Sequence, residues 1–432
     1  MAKTAAPSQQ QNAPAPGAAF RIPGVGARPR RVEETGPIQP GTSTALAQGT
    51  STPLPFQKFQ TLDIDRAFLF QAAMSTTYTA GGGHTITPSP LFPANQFSLI
   101  QVQFESAYST FRLPGWLAQV FQQFRSTFGP KNQVSALFQS GANPDPANAL
   151  GTAWFPSTSP LGTPNLAANT TGTTQTYNVF FEIPVSFYFD LYYELTATGQ
   201  PMGMPIPRAI VSPQRMAATT RNVIPKVTAA PGFLLTDNYD APASIASGDT
   251  TSTFAGSVTS TWWRDAWIPT DNMVTEPPGR MWQYTRDFIT FQPAGASKPA
   301  IPLDDDVPGQ GQILAVVFAT WDPTLNSGNG GFAPYTDYAT VSLLLGSNIQ
   351  LYQDTPQSNL YCWGAQHGSI LPNGIMGWDL ALTEDGRITN ENAINTLVQN
   401  GAQVRIEYAS GYTPGAGATI YVGLEVLKKV GS

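Results

Sequence analysis

Over much of the chain beyond residue 61, apolar and polar positions alternate with the two-residue period of half-buried β-strands. Residues 67–74 and 97–104 read as strands, the latter with Ile100, Val102 and Phe104 on one face and Gln101 and Gln103 on the other. Aromatic-rich segments at 179–183 and 185–189 flank Pro184. Proline cannot donate to a ladder, so this strand is placed at a sheet edge or a bulge. A second β block runs from about Trp282 to the C-terminus. In it, 313–319 reads as a buried strand, 340–345 and 348–352 follow, and 403–408 and 419–426 alternate as a closing pair.

Two stretches switch to a helical period. After Pro114, the residues Leu117, Val120, Phe121, Phe124 and Phe128 form one apolar stripe, with Gln119, Gln122, Gln123 and Arg125 on the other face. The proline suits a first helical turn. A second helix is predicted over 391–399, with Ile394, Leu397 and Val398 apolar, Asn390 as its cap and Gly401 at its end. Residues 139–175 and 199–260 read as long loops, and loops of that length usually serve function or interfaces.

Residues 1–58 show no sustained periodicity and are rich in Ala, Pro, Gln, Gly, Ser and Thr. Such a segment does not bury enough apolar surface to offset its own ordering entropy. It reads as a flexible arm, either disordered or ordered only against neighbours, whose Arg28, Arg30 and Arg31 precede Glu33 and Glu34. The expected division is an arm over 1–60, a β unit over 61–270 and a second over 271–432. No sequence repeat relates the two blocks to the eye.

Composition narrows the function. Of 432 residues only 12% are charged, about half the usual share of about 25%. The 39 glycines and 39 prolines punctuate the arm and loops. A net charge of -6 with 22 Lys+Arg argues against packaging nucleic acid by neutralising phosphates. One cysteine, Cys362, excludes an intramolecular disulfide and a Cys-rich zinc site. Two histidines, His84 and His367, exclude a three-His metal centre. Neither a signal peptide nor an apolar run long enough to span a bilayer is read, and a soluble protein made in the cytoplasm is expected.

Candidate chemistry is sparse. There is no phosphate-binding loop and no nucleophile elbow. His84 follows three glycines in a predicted turn, and Cys362 and His367 lack evident partner ligands. Asp304, Asp305 and Asp306 could offer oxygens to Ca²⁺, as could the loop 322–331, but both read better as surface loops. Asn169-Thr170-Thr171 is a glycosylation sequon. Trp262, Trp263 and Trp267 could form a stacking platform for sugars or bases, but read better as packing. No catalytic, cofactor-binding or metal residue is assigned.

The order of features resembles the double jelly-roll major capsid proteins of tailless, membrane-containing viruses of the PRD1 and adenovirus lineage. The resemblance rests first on the strand at 67–74, the turn at Gly81-Gly82-Gly83-His84, the strand at 97–104 and Pro114-Gly115-Trp116 entering a helix. It continues through the aromatic strand at 177–193, the segment 210–215 and the strand ending in Trp262-Trp263. In the second block it rests on 340–351, Pro372-Asn373-Gly374-Ile375-Met376, Asp385-Gly386, the Asn-rich stretch 389–400 and the final strands through Tyr408 and Tyr421. The segment 1–58 has no counterpart, and 231–260 is longer than the family minimum.

The resemblance implies an all-β chain of two eight-stranded jelly rolls with short helical insertions and a flexible N-terminal arm. It implies pseudo-hexagonal homotrimers that build an icosahedral shell around an internal membrane, with strands perpendicular to the shell and long loops at the top. Implied partners are neighbouring capsomers, minor capsid, penton or membrane proteins of the virion, and the membrane beneath the arm, with no specific nucleic acid. The implied location is the virion, assembled in the host cytoplasm, and the implied role is structural, with no cofactor and no catalysis. The alternative reading is a viral spike or a carbohydrate- or receptor-binding β protein using Trp263 or loop tyrosines against sugar.

Overall fold

The computed structural model describes residues 29–34, 44–46, 52–54, 59–60, 64–79, 94–104, 108–125, 136–140, 174–186, 194–195, 201–202, 222–229, 253–267, 281–303, 311–325, 330–346, 349–367, 371, 374–382, 392–395 and 401–430. The first half contains β1 (Pro29–Glu34), β2 (Thr44–Leu46), β3 (Thr52–Pro53), β4 (Phe59–Gln60), β5 (Ile64–Thr79), β6 (Phe97–Phe104) and β7 (Tyr108–Leu113). Helix α1 (Gly115–Arg125) follows, then β8 (Ala136–Ser140), β9 (Thr174–Ser186), the small pair β10 (Glu194–Leu195) and β11 (Pro201–Met202), β12 (Asn222–Ala229) and β13 (Thr253–Trp267). The second half contains β14 (Met281–Phe291), β15 (Ala300–Pro302), β16 (Gly311–Asp322), β17 (Gly331–Phe332), β18 (Tyr338–Leu345), β19 (Ile349–Asp354) and helix α2 (Pro356–His367). It closes with β20 (Ile375–Asp379), β21 (Ile394–Asn395), β22 (Ala402–Tyr408) and β23 (Thr419–Val430).

Both halves use one topology. In the second, β14-β23-β16-β20 form one layer and β15-β22-β18-β19 the other. In the first, β1-β13-β5-β9 form one layer, and β12 pairs with β3 and β4 on one side and β6 on the other, followed by β7. Numbered in chain order within each half, leaving aside the flanking strands β2, β8, β10, β11, β17 and β21 and taking β3 and β4 as one interrupted strand, the layers of both halves read 1-8-3-6 and 2-7-4-5. That is the jelly-roll order, a pair of nested Greek keys.

A constant spacing of 241 residues relates the middle of the two halves. It carries the 3-10 turn Ala94–Gln96 to Tyr335–Asp337, Phe97 to Tyr338, Tyr108 to Ile349, Leu113 to Asp354 and the first residue of α1, Gly115, to that of α2, Pro356. Even the irregularity repeats, since the β6–β7 register shifts between Val102 and Gln103 and the β18–β19 register shifts between Leu343 and Leu344. The repeat is invisible to the eye because it is backbone and not side chains that recur: Phe-Ser-Leu-Ile opens β6 and Tyr-Ala-Thr-Val opens β18.

The core of the second half lies between its layers. Val316, Phe318, Val422, Leu424 and Val426 face Val341, Leu343, Val404 and Ile406 across it, all at most 1% exposed. β22 shows the expected two-residue alternation of burial, whereas β16 is buried at almost every position. Its continuous apolar run is what a strand covered on both faces requires. On the far face, Trp363 of α2 stands with Val317 against Gly377, and α1 seats on the adjoining β23 at Gly423.

Several expectations are corrected. The arm assigned to 1–60 contributes strands: β1 pairs antiparallel with β13 from Pro29↔Trp267 to Glu34↔Trp262, β2 pairs with β13, and β3 and β4 pair with β12. Their partners lie far downstream, so local periodicity could not announce them. The helix expected over 391–399 is overturned, because Ile394 and Asn395 form a strand on β16 and Ile394 is 1% exposed. The helix described in full in the second half is instead α2. Pro184 does lie in an edge stretch: β9 pairs with β5 through Leu69↔Pro184, while β8 on the other side pairs no further along than Phe181.

Candidate assembly interface

Strand β7 is the outer strand of one first-half layer, and β14 is the outer strand of one second-half layer. They meet in parallel at Phe111↔Arg286, joining the two layers into one eleven-stranded sheet. Arg112 secures the junction. Its Nε donates to Asp287 Oδ1 at 2.6 Å, its Nη2 donates to the Phe288 carbonyl at 3.1 Å, and its guanidinium lies 5.3 Å from the Phe288 ring centroid. Arg286 behind it is 4% exposed and its Nε lies 3.3 Å from Oε1 of the fully buried Glu425.

Helix α1 continues from β7 and crosses onto the second half. Gly115 lets the helix start against the Ala94 carbonyl, and the Ala118 amide donates to Pro114 O at 2.9 Å. Leu117, Val120 and Phe121 are fully buried, as the apolar stripe predicted. Gln119, expected on the polar face, is also buried at 1%, because the helix is covered on more than its stripe. Trp116 packs against Phe332 and Tyr421 with centroids 4.9 and 6.1 Å apart, and the Phe121 ring lies 5.8 Å from the Arg286 guanidinium. Gly423 on β23 makes room: a Cβ there would stand 2.9 Å from Phe121 Cε2 and 3.0 Å from Leu117 Cδ2.

The second half presents the same corner, and among the described residues nothing covers it. Among the described strands β19 is the outer strand of its layer, and five of its six positions are exposed. The large exposed apolar side chains among the described residues are Ile349, Leu351, Tyr352 and Tyr361, all on β19 and α2. Helix α2 packs inward through Pro356, Asn359 and Trp363. The Asn359 side chain both donates to Gly377 O at 3.0 Å and accepts from Gly377 N at 3.1 Å, and Trp378 Nε1 donates to Asp354 at 2.8 Å. Positions 120 and 121 of α1 are buried, whereas Tyr361 and Cys362, 241 residues on, are exposed.

The sequence-level candidates fall elsewhere. Cys362 is exposed on α2, whereas the His367 side chain is 6% exposed with Nε2 3.3 Å from Asp379 Oδ2, so the structure does not gather the two at one point. Asp322 opens the loop 322–331 and is saturated by protein: Oδ1 accepts from the Thr324 amide and hydroxyl at 2.8 and 2.7 Å, Oδ2 from Tyr412 and the Gly415 amide at 2.8 Å each. Burial pushes its carboxyl up, but these hydrogen bonds outweigh that and hold it below the ordinary range. Burial also raises the hydroxyls of Tyr338 and Tyr408, which lie against Thr320 beneath this loop. Trp262 and Trp263 are consecutive positions of β13, with strands on both sides, and so alternate between its faces. His84, Asp304 to Asp306 and Asn169 lie outside the described residues. Among the described residues no group of three or more His, Cys, Asp or Glu is placed to hold a metal ion, and no helix is long and apolar enough to cross a membrane.

Sequence reasoning had no handle on the seam itself. Arg112, Asp287 and Gly423 are unremarkable in strand context, and only the parallel contact of β7 with β14 brings them together.

No protein-family model matches the chain, and no curated protein matches it in sequence. Solved structures do. The chain is similar to one from Sulfolobus turreted icosahedral virus, at 12% identity over 93% of this chain and 90% of that one, with a TM-score of 0.50. It is also similar to a chain of the PBCV-1 virus capsid (11% identity, 95% of each chain, TM-score 0.49) and to the mavirus major capsid protein (11% identity, 99% of this chain and 92% of that one, TM-score 0.43). What is shared at such identity is architecture, and with the order 1-8-3-6 and 2-7-4-5 in both halves the chain has the all-β double jelly-roll fold.

Proposed function

We propose that this chain is the major capsid protein of an icosahedral virus with an internal membrane, acting as a structural subunit and not as an enzyme. The observation that carries the reading is the repeat. One chain presents two rolls of identical strand order, welded side by side through β7 and β14. Three such chains arranged in a ring offer six similar corners, the shape that tiles a hexagonal lattice. The similarity in fold to the chain from Sulfolobus turreted icosahedral virus supports it. The rolls are taken as residues 29–267 and 281–430.

A charge content of 12% suits this role. Burying few charges lowers the desolvation cost when much of the surface meets other copies. Partners are then neighbouring capsomers and the vertex, minor or membrane proteins of the virion, and no residue is assigned to catalysis, metal or cofactor. Electron microscopy of the purified protein and of particles containing it tests the proposal. Pseudo-hexagonal trimers in an icosahedral shell are expected; particles whose shell is built from another protein would overturn it.

A further inference from the structure

We infer that the His367–Asp379 pair is a proton-operated latch: while the imidazole is protonated it holds the C-terminal turn of α2 to β20, and loss of the proton loosens that turn. The latch belongs to the second roll and does not depend on what the chain assembles into.

His367 is the last residue of α2, and its side chain is 6% exposed. Its Nε2 stands 3.3 Å from Oδ2 of Asp379, whose side chain is fully buried. The other oxygen, Oδ1, accepts from the Ala381 and Leu382 amides at 3.0 and 3.3 Å. The carboxylate is therefore fixed where β20 ends, with one oxygen left towards the helix. Trp363 lies one turn back on α2, its ring centroid 4.5 Å from that of the imidazole, and it is buried against Gly377 of β20. Holding His367 thus holds the inward side of the last turn.

The surroundings favour the cation. Helix α2 packs on β20, β18, β19 and the 3-10 turn Tyr335–Asp337. The charged groups of those elements are Asp379, Asp354 and Asp337, with no lysine or arginine among them. Their other titratable groups are the hydroxyls of Tyr335, Tyr338 and Tyr352, and α2 itself adds Tyr361 and Cys362, both exposed. Burial raises the Tyr352 hydroxyl, and the charges of Asp354 and Asp379 raise it further, so their negative field reaches across this side of the roll. Burial alone resists charge on an imidazole. Against it stand the Asp379 carboxylate and the C-terminal carbonyls of α2, where a cation is favoured. The matching helix of the first roll, α1, ends on Arg125, a cation at every working pH, whereas α2 ends on a side chain that ordinarily loses its charge near about pH 6.5. Folding then takes up a proton at His367. The stabilisation is full below about pH 6.5 and is lost as pH rises past the titration of the folded imidazole.

The test is hydrogen exchange read by mass spectrometry on the full-length chain at about pH 5.5 and about pH 8.5, which bracket the ordinary imidazole value, with protection corrected for the intrinsic rate at each pH. All chains carry Cys362→Ser, at an exposed position, so that no thiol titrates. Protection of the last turn of α2 should fall by about tenfold or more at the higher pH, while that of β22 stays level. His84→Gln, which removes the one other histidine, should leave the fall intact, and His367→Gln should abolish it. A last turn protected equally at both pH values, or more at the higher, overturns the latch. So does a fall that persists in His367→Gln or vanishes in His84→Gln. If His367→Gln fails to fold, the His84→Gln chain still decides, since His367 is then its one histidine.

Discussion

Gly423→Ala offers a direct measure of how tightly the two rolls are joined. The new Cβ would stand 2.9 Å from Phe121 Cε2 and 3.0 Å from Leu117 Cδ2. Carbon atoms rest about 3.5–4.0 Å apart, so both contacts are short by about 0.5–1 Å. Phe121 and Leu117 are fully buried, so neither can swing into solvent. Overpacking of this kind costs about 1–3 kcal/mol, while exchanging glycine for alanine in a strand returns about 0.5–1 kcal/mol. The net expectation is a loss of about 1–2 kcal/mol. Phe121→Leu removes the nearer clashing atom, so the double variant should be more stable than the two single effects predict, by about 1 kcal/mol of coupling. Urea denaturation followed by tryptophan fluorescence reads the effect, since Trp116 sits in the same seam. An unchanged midpoint for Gly423→Ala, or strictly additive effects in the double variant, would refute the packing described for α1.

Four further outcomes are expected. Arg286→Leu leaves the fully buried Glu425 carboxylate without a cation 3.3 Å away and should cost about 3–5 kcal/mol, most of it recovered by adding Glu425→Leu; equal losses in the single and double variants would contradict this. Asp322→Asn should cost about 1–3 kcal/mol near neutral pH by leaving donors unpaired; because the folded carboxyl titrates below its ordinary 3.8, the stabilisation is present above that pH and fades as pH falls through the folded value, so wild type and variant should converge in acid, and a pH-independent gap would be the contrary result. Leu344→Asp, at a position 4% exposed, should lower the melting temperature by burying an unpaired charge, whereas an unchanged melting temperature would place Leu344 outside the core. Deleting residues 1–50 removes β1 and β2 from β13 and should speed amide exchange along β13, whereas a free arm would leave that exchange unaltered.

The strands of the second half were legible because their burial follows the two-residue rule, most plainly in β22, or because a continuous apolar run marked β16 as covered on both faces. Helix α1 was legible from its stripe, though not the burial of Gln119, which depends on a roll assembled more than 150 residues later. Helix α2 escaped notice because its inward side is Pro356, Asn359 and Trp363, which makes no periodic apolar signal, and Asn359 is held by backbone hydrogen bonds. The stretch around Ile394 mimicked a helix locally, and pairing with β16 overrode that preference. The candidate interface was legible least. Its parts are ordinary residues made significant by a contact between distant strands and by a corner exposed among the described residues.

The pairing of β1 with β13 also sets the order of events during synthesis. Glu34 must wait for Trp262, more than two hundred residues downstream, before its strand has a ladder to join. At about 5–20 residues per second, that delay is on the order of ten to fifty seconds. Through it the nascent chain carries unsatisfied edges from β1 to β9, and contacts of such long range are slow to form even once the partner has emerged. The first roll therefore completes late, only shortly before the second begins to leave the ribosome. The yield of the chain should therefore fall when holdase chaperones are scarce during translation.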